Sequence, residues 1–302
     1  YSWVLRLYYE WFGFLKLSRS LKPDLWLSLH DITPRVLSRR QAVYCHNPSP
    51  FYKLTWREAL MEPKFWLFNR FYRYLYRIFI HRNDWIIVQQ SWLRSEFMQM
   101  FGALPVVVAR PSLSLASMPI KKEAPKGTCV FLYPSLPRVF KNFQVVCEAA
   151  MILQACGVDG FEIRLTLDGH ENKYSRWLYE KYKNIKTVNF IGLQDRKQMR
   201  DQYFEASAII FPSKLETWGL PISEAKHYGK RLLLADLPYA HETVGSYDDV
   251  SFFDPSSADE LAVLMHKIIK GIGQPMGALE IESSEPYARD WSVLWRLLAD
   301  DL

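Results

Sequence analysis

Short apolar runs alternate with longer amphipathic segments along the second half of the chain. The apolar runs are rich in Val, Ile, Leu and Phe, which is expected of strands buried on both faces of a parallel sheet. These runs are Thr128–Tyr133, Phe161–Leu167, Thr187–Ile191, Ala208–Phe211, Arg231–Ala235 and Val250–Phe253. The predicted helices between and after them are Asn142–Cys156, Lys173–Lys183, Asp195–Glu205, Pro221–Tyr228, Tyr239–Val244 and Ser257–Lys270. This alternation predicts a complete, doubly wound α/β domain.

The first half of the chain shows a similar alternation. Its predicted strands are Leu25–Leu29, Gln41–Cys45, Asp84–Val88 and Pro105–Ala109. Helical segments lie between them, and the clearest is Ser91–Phe101, which stops before Gly102. An apolar and aromatic segment with a helical pattern, Tyr1–Leu21, precedes the first strand. A second α/β domain with a parallel sheet is therefore predicted.

A proline-containing segment separates the two predicted domains. Arg110–Gly127 contains three prolines and the pair Lys121-Lys122, which is typical of a linker. We therefore assign residues 1–112 to an N-terminal domain, residues 113–284 to a C-terminal domain and residues 285–302 to a terminal helix.

Composition indicates a globular chain without a membrane-spanning helix. Its 302 residues suffice for two ordinary domains, and an apolar share of 49% is that of a globular protein. No run of about 18 apolar residues and no signal peptide is visible. The four cysteines lack metal-ligand spacing and lie in strand-like or helical runs. We therefore expect reduced core cysteines and a cytoplasmic location.

Positive charge is concentrated in the first half of the chain. Residues 1–112 carry 16 Lys and Arg against 7 Asp and Glu, a balance of +9, whereas the whole chain carries +6. Within Phe65–Ile80, which is rich in aromatic residues, Arg70, Arg73 and Arg77 share one predicted helical face. This face predicts peripheral contact with an anionic membrane, although a solvated arginine stripe explains it equally well. No nucleic-acid motif accompanies it, so we expect no nucleic-acid partner.

A strand-to-helix turn in the second half carries two glutamates. Glu216 follows the strand Ala208–Phe211, and Glu224 lies in the first turns of a helix that Pro221 opens and Gly229 closes. Amides at such a helix start bind anions such as phosphate, and a carboxylate beside them can accept two hydrogen bonds from a ribose diol. Phosphate and diol together predict a nucleotide-sugar ligand.

The neighbouring loops add two candidates and exclude two classes of enzyme. Gly219 and Leu220 precede Pro221, so we expect their amides to face the ligand. The turn after Tyr133 contains no Gly-x-Gly-x-x-Gly sequence, and no Walker loop occurs in the chain. These features argue against an NAD-dependent enzyme and a P-loop ATPase.

The block around the two glutamates resembles the Glu-x7-Glu signature of retaining glycosyltransferases of family 4. The shared features are a preceding strand, Pro212-Ser213, Glu216, Gly219-Leu220-Pro221, Glu224 and Gly229. The resemblance implies an α/β fold of the GT-B type, in which two Rossmann-like, doubly wound domains face a cleft. It also implies further strand and helix units ahead of Pro23-Asp24, so we expect the first domain to be truncated here. The terminal helix is expected to cross back to the first domain.

The resemblance also implies roles for individual residues. Lys141 matches the lysine that holds the donor diphosphate, and Arg138 substitutes for an arginine that usually lies closer to the strand. Glu224 would bind the ribose, whereas His46 and Glu216 would position the transferred sugar as the catalytic residues. The other expected contacts are Gly219 and Leu220 at the diphosphate and Phe190, Ile191 and Gly192 on the side of the base.

Simpler interpretations remain open for some of these residues. His46 follows the strand Gln41–Cys45, where open α/β sheets place ligands, but a turn histidine bonded to the backbone would also fit. Lys141, taken alone, would also fit a solvated lysine. His30-Asp31 closes the preceding strand and is a weaker candidate than His46.

The resemblance implies transfer of a hexosyl unit, with retention, from a UDP-, GDP- or dTDP-sugar to a hydroxyl of a glycan or lipid-linked acceptor. The pathway would be cell-surface polysaccharide synthesis. Basic groups would replace a cation at the diphosphate, so we expect no metal ion and no cofactor. We expect a peripheral location at the inner face of the membrane. The alternatives are a GT-B nucleotide-sugar epimerase, which needs no acceptor, and a non-catalytic nucleotide-sugar-binding protein.

Overall fold

The computed structural model describes residues 2–111, 127–281 and 283–299, so most of the predicted linker Arg110–Gly127 lies outside the described residues. The described residues form two compact units. Unit 1 comprises residues 2–54, 64–111 and 283–299, and unit 2 comprises residues 55–63 and 127–281. The segment 55–63, which the sequence analysis assigns to the first domain, thus groups with unit 2.

Except for the short strand Tyr287–Ala288, which lies where the sequence analysis predicts only the terminal helix, the strands and helices follow one another in the order that the hydrophobic pattern predicts. The strands are β1 (Leu25–Ser28), β2 (Arg40–Tyr44), β3 (Trp85–Val88), β4 (Val106–Ala109), β5 (Cys129–Tyr133), β6 (Phe161–Leu165), β7 (Val188–Phe190), β8 (Ala208–Phe211), β9 (Arg231–Ala235), β10 (Val250–Phe253) and β11 (Tyr287–Ala288). The α-helices are α1 (Trp3–Tyr8), α2 (Phe14–Leu21), α3 (Trp56–Met61), α4 (Pro63–Arg77), α5 (Ser91–Phe101), α6 (Phe143–Ala155), α7 (Lys173–Tyr182), α8 (Arg196–Glu205), α9 (Leu220–His227), α10 (Pro238–Val244), α11 (Ala258–Ile269) and α12 (Trp291–Ala299).

Unit 1 is built on a parallel sheet with the order β1-β2-β3-β4-β11. Successive residues of β2 face opposite sides, so Val43 packs in the cluster on one face and Ala42 in the cluster on the other. Leu294 and Leu298, one turn apart on α12, cover the second face. The residues that follow the 127–281 segment along the chain therefore complete the sheet and the core of unit 1.

Unit 2 is built on a parallel sheet with the order β10-β9-β8-β5-β6-β7. Its first strand, β5, lies beside its fourth, β8. The chain therefore runs from β5 toward β6 and β7 on one side of this point, and from β8 toward β9 and β10 on the other. Helix α6 contacts both α7 and α11, and α9 contacts α10. With right-handed crossovers, these two groups cover opposite faces of the sheet. The doubly wound α/β fold predicted from the sequence is confirmed, and in such sheets ligands bind where the strand order reverses.

Asn142 connects, by hydrogen bonds, the loops that meet where the strand order of unit 2 reverses. It stands between β5 and α6 with a φ of 58°, in the left-handed region that asparagine tolerates better than most residues. Its buried Nδ2 donates to the carbonyls of Pro212, at 3.2 Å, and Pro255, at 2.8 Å. These bonds fix the loop after β5 against the loops after β8 and β10.

Candidate active site

Lys141 and Glu216 form an ion pair at the point where the strand order of unit 2 reverses. Lys141 ends a 3-10 turn, Val139–Lys141, in the loop after β5, and Glu216 lies in the loop after β8. The Nζ atom donates to Oε1 of the carboxylate. Only 16% of the lysine side chain and 12% of the glutamate side chain are exposed. The fold thus brings together two residues that the sequence analysis assigns to neighbouring parts of a donor.

Backbone atoms of both loops are held by buried tyrosines. Tyr133 donates to the carbonyl of Lys141 at 2.6 Å, and Tyr239 donates to the carbonyl of Ser213 at 2.7 Å. Burial, and after it the charge of Glu216, raises the pKa of both tyrosines. Both hydroxyls therefore remain protonated and continue to donate, which fixes the geometry of the ion pair.

The surroundings of the Lys141 ammonium favour a cation. Its Nζ lies 5.7 Å from the ring centroid of Phe140 and 5.5 Å from that of Phe211, within the range of cation–π attraction. An ammonium carries three N–H donors, and the bond to Glu216 uses one of them. The group can therefore donate to an anionic ligand at this position.

Helix α9 begins beside this pair at a glycine that the backbone requires. Gly219 has a φ of 80°, and a Cβ there would lie 3.2 Å from Cδ1 of Ile222 and 3.4 Å from Cε1 of Phe211. Its carbonyl accepts from the amide of Ile222 at 2.9 Å and so begins the helix. Leu220, the first helical residue, is exposed. The predicted diphosphate residues Gly219 and Leu220 therefore stand at the start of a helix, where the dipole favours an anion.

Glu224 is held by a residue that the sequence analysis missed. The hydroxyl of Tyr203, on α8, donates to Oε2 of Glu224 at 2.8 Å. Burial, and then the charge of Glu224, raises the pKa of Tyr203 well above its usual value, and its ring stacks on that of Tyr228. The carboxylate is thereby oriented, and its remaining lone pairs can accept other hydrogen bonds.

The predicted base-side residues lie at the end of the edge strand of unit 2. Ile191 continues the pairing of β7 by donating its amide to Leu165, and the ring of Phe190 packs edge-on against that of Tyr179. Gly192 turns the chain with a φ of 68°. Since β6 separates this strand from β5, these residues lie further from the reversal point than Lys141 does.

Arg138 is bound to a carboxylate from segment 55–63. Its Nε donates to Oε2 of Glu62 at 2.6 Å, and the amide of Val139 donates to the other carboxylate oxygen at 2.8 Å. Glu62, which lies outside the sheet, thus holds the loop that carries Lys141 by two hydrogen bonds. A sequence pattern does not reveal this contact, because Glu62 lies 76 residues before Arg138.

His46, the predicted catalytic residue of unit 1, follows β2 in a loop organised by Asp31. One Asp31 oxygen accepts from the amides of His46, at 2.7 Å, and Asn47, at 3.0 Å. Tyr76 donates to the same oxygen and Tyr72 to the other. Asp31 is buried, whereas 46% of the His46 side chain is exposed and its Nδ1 lies 3.4 Å from Asp31. Asp31 therefore fixes the backbone from which His46 projects.

Replacing Asp31 should loosen this loop without unfolding the unit. In Asp31→Ala the His46 and Asn47 amides lose a charged acceptor, which contributes roughly 1.5–3 kcal/mol in proteins. Hydrogen exchange at these two amides should therefore accelerate at least about tenfold. Asp31→Asn keeps an oxygen acceptor and should show a smaller effect. Unchanged exchange in Asp31→Ala would mean that other contacts hold the loop.

Comparison with protein-family models gives a match between residues 117–275 and the family described as glycosyl transferases group 1. Comparison with curated proteins gives no significant match.

Several solved structures resemble the chain in fold. The sucrose-phosphate synthase from Thermosynechococcus elongatus is 16% identical with a TM-score of 0.58, and 78% of this chain matches 59% of that one. The lipopolysaccharide outer core galactosyltransferase WaaB, in its apo form, is 14% identical with a TM-score of 0.62, and the match covers 89% and 72% of the two chains. Anabaena HepE in complex with UDP-glucose is 16% identical with a TM-score of 0.60, and the match covers 77% and 63%.

These similarities agree with the α/β fold and the parallel sheets described above. The chain spans only about six tenths of the sucrose-phosphate synthase chain. The structural neighbours have the GT-B fold, which the sequence analysis predicts, and the family match covers more than half of the residues. The chain therefore belongs to the glycosyl transferases group 1 family.

Proposed function

We propose that the chain is a retaining glycosyltransferase of family 4 that moves a sugar from a nucleoside-diphosphate donor to an acceptor hydroxyl. The observation that carries this proposal is the Lys141–Glu216 pair, held at the ligand-binding edge of the unit 2 sheet. Glu216 and Glu224 would be the two members of the Glu-x7-Glu motif. The complex of HepE with UDP-glucose supports a UDP-linked donor for this chain.

Lys141 would change partners when the donor binds. A diphosphate carries more negative charge than one carboxylate, so it would attract the ammonium away from Glu216. The amides at the start of α9 would donate to the same phosphates. Arg138 could add a second cation by leaving Glu62. These groups would stabilise the leaving diphosphate, which is why the proposed reaction needs no metal ion.

Glu224 would then hold the ribose. The hydroxyl of Tyr203 donates to one oxygen of this carboxylate and orients the group. The free lone pairs would accept from the two ribose hydroxyls. Phe190, Ile191 and Gly192 would lie on the side of the base.

The transfer itself would proceed on one face of the sugar. The bond between C1 and the diphosphate oxygen breaks, and its electron pair leaves with the diphosphate. The acceptor oxygen bonds to C1 from the same face, and its proton passes to the departing diphosphate. Glu216, released by Lys141, and His46 would position the sugar through its hydroxyls.

An exposed face of α4 would bring unit 1 to an anionic membrane that carries the acceptor. Arg70, Arg73 and Arg77 are all exposed, together with Trp66 on the same face. Arg73 donates to the hydroxyl of Tyr74 at 3.0 Å, and hydrogen bonding from Arg73 and then Arg70 lowers the pKa of Tyr74. Lipid phosphates could accept the same bonds. Among the described residues, no helix is long and apolar enough to cross a membrane.

The donor proposal predicts a specific dependence on the ribose hydroxyls. In excess EDTA, Glu224→Gln should weaken UDP binding about tenfold or more, because a bond to a charged group contributes roughly 1.5 kcal/mol or more. The loss should be much smaller for 2′,3′-dideoxy-UDP. Calorimetric titration of both ligands into both proteins measures this difference.

Two variants serve as controls for that titration. Tyr203→Phe removes the bond that orients Glu224 but keeps the carboxylate, so its effect should lie between wild type and Glu224→Gln. Glu216→Gln should leave the ratio of UDP to dideoxy-UDP affinity unchanged. An equal loss of affinity in Glu224→Gln for both ligands would contradict the assignment of Glu224 to the ribose. UDP binding that requires Mg²⁺ or Mn²⁺ would contradict metal-free binding of the diphosphate.

The membrane proposal predicts salt-sensitive binding to anionic vesicles. Wild-type protein should cosediment with phosphatidylglycerol vesicles at low salt and dissociate as ionic strength rises. The triple variant Arg70→Gln, Arg73→Gln, Arg77→Gln should not bind, and its affinity for UDP should be unchanged.

A charge-matched control replaces three exposed cations of unit 2, Arg176, Lys186 and Lys197, by Gln. This control should bind vesicles like wild type. If it loses binding to the same extent, the attraction follows net charge and the α4 face has no special role.

A further inference from the structure

Unit 2 contains a second concave site beside the candidate donor site. A cavity of about 440 Å³ lies between α3 and the side of the unit that α6 and α7 cover. Ligand pockets in proteins usually enclose about 300–1,000 Å³. Two of its lining residues, Val139 and Lys214, stand two positions before Lys141 and Glu216. The cavity therefore shares its loops with the donor site but lies on the opposite face of the sheet from α9.

The wall formed by α3 is held in place by hydrogen bonds within unit 2. Lys173 donates its Nζ to the carbonyl of Leu60 at 3.0 Å. Glu62, just after α3, accepts from both Arg138 and Val139. The start of α3 is closed by a reciprocal capping box. The cavity is thus a preformed feature of the fold.

Each side of the cavity carries a tryptophan with a cation over its ring. The guanidinium of Arg57 lies 5.3 Å from the ring centroid of Trp56, and Nζ of Lys181 lies 5.1 Å from that of Trp177. Trp56 is 68% exposed, which is unusual for so large an apolar side chain. Two flat apolar surfaces and two positive charges therefore face the same space.

Positive charge exceeds negative charge around the cavity. The described residues that line it include Arg57, Lys181 and Lys214 and, among them, a single carboxylate, that of Glu58. Both the amide and the hydroxyl of Thr55 donate to Glu58, at 2.8 and 3.0 Å, so this carboxylate belongs to the helix cap. Lys181 also lies 3.8 Å from Glu148, at the limit of an ion pair. A ligand with its own negative charge is favoured here.

We propose that this cavity binds a segment of an anionic saccharide. The apolar faces of sugar rings can pack on Trp56 and Trp177, and carboxylate groups on the sugars can pair with Arg57, Lys181 and Lys214. A neutral glycan would use only the tryptophan rings, and a flexible polyanion without sugar rings would use only the cations. The identification of this saccharide as the acceptor rests on the proposed function, whereas the binding itself does not.

The test uses tetragalacturonate as the probe and calorimetry with the full chain as the measurement. Tetragalacturonate should bind, and maltotetraose, which is neutral, should bind at least tenfold more weakly. Trp56→Ala and the double variant Arg57→Gln, Lys181→Gln should each reduce tetragalacturonate affinity at least fivefold. Both substitutions lie at exposed positions, so the fold should be retained.

Matched controls separate this site from general charge and from the donor site. Arg176→Gln, at an exposed position on α7 outside the cavity, should bind tetragalacturonate like wild type. All the variants should bind UDP normally. If UDP binding fails in wild type while tetragalacturonate binding holds, the proposed function falls and the saccharide site stands.

Three results would overturn the inference. They are an absence of tetragalacturonate binding, full affinity in Trp56→Ala, and equal binding of tetragalacturonate and inorganic polyphosphate.

Discussion

The largely buried ion pair between Lys141 and Glu216 is the interaction on which the candidate site depends. Removing both charges from water is costly, so such a pair contributes little net stability and persists only if its surroundings hold it. Here the surroundings are Asn142 and the buried Tyr133 and Tyr239, which fix the two loops by hydrogen bonds. The fold therefore maintains a cation and a carboxylate that a more highly charged ligand can separate.

The positions of the other groups in the candidate site also depend on how these loops are held together. Loops can meet at this point only because β5 and β8 are adjacent in the sheet while their connections lead away from each other. The left-handed backbone at Gly219 starts α9 within the loop that carries Glu216. The amides at the start of this helix and the ammonium of Lys141 therefore lie in the same part of the site. Tyr203 fixes Glu224 on the same helix. In the proposed binding mode, phosphate and ribose would contact groups whose positions are fixed, whereas the ammonium of Lys141 would have to leave Glu216.

The sequence predicted the framework of this site but not its internal contacts. Apolar runs such as Ala208–Phe211 indicated each strand of unit 2, because strands covered on both faces have no polar alternation. The residues around Glu216 and Glu224 predicted which loops form the candidate site, and their roles in it stay a prediction. The sequence did not predict that Lys141 would pair with Glu216, since their spacing of 75 residues has no periodic meaning. The same applies to Tyr203 with Glu224, to Glu62 with Arg138, and to Asp31 with the amides of the His46 loop.

The most direct test of the central claim compares UDP with uridine in wild type and in Lys141→Met. These ligands differ only in the diphosphate, and methionine keeps the length of the side chain without its charge. The account predicts that the substitution weakens UDP binding by about 10–100-fold, the range for a charge-assisted hydrogen bond, and leaves uridine binding unchanged. Equal losses for both ligands, or an unchanged UDP affinity, would show that Lys141 does not bind the diphosphate.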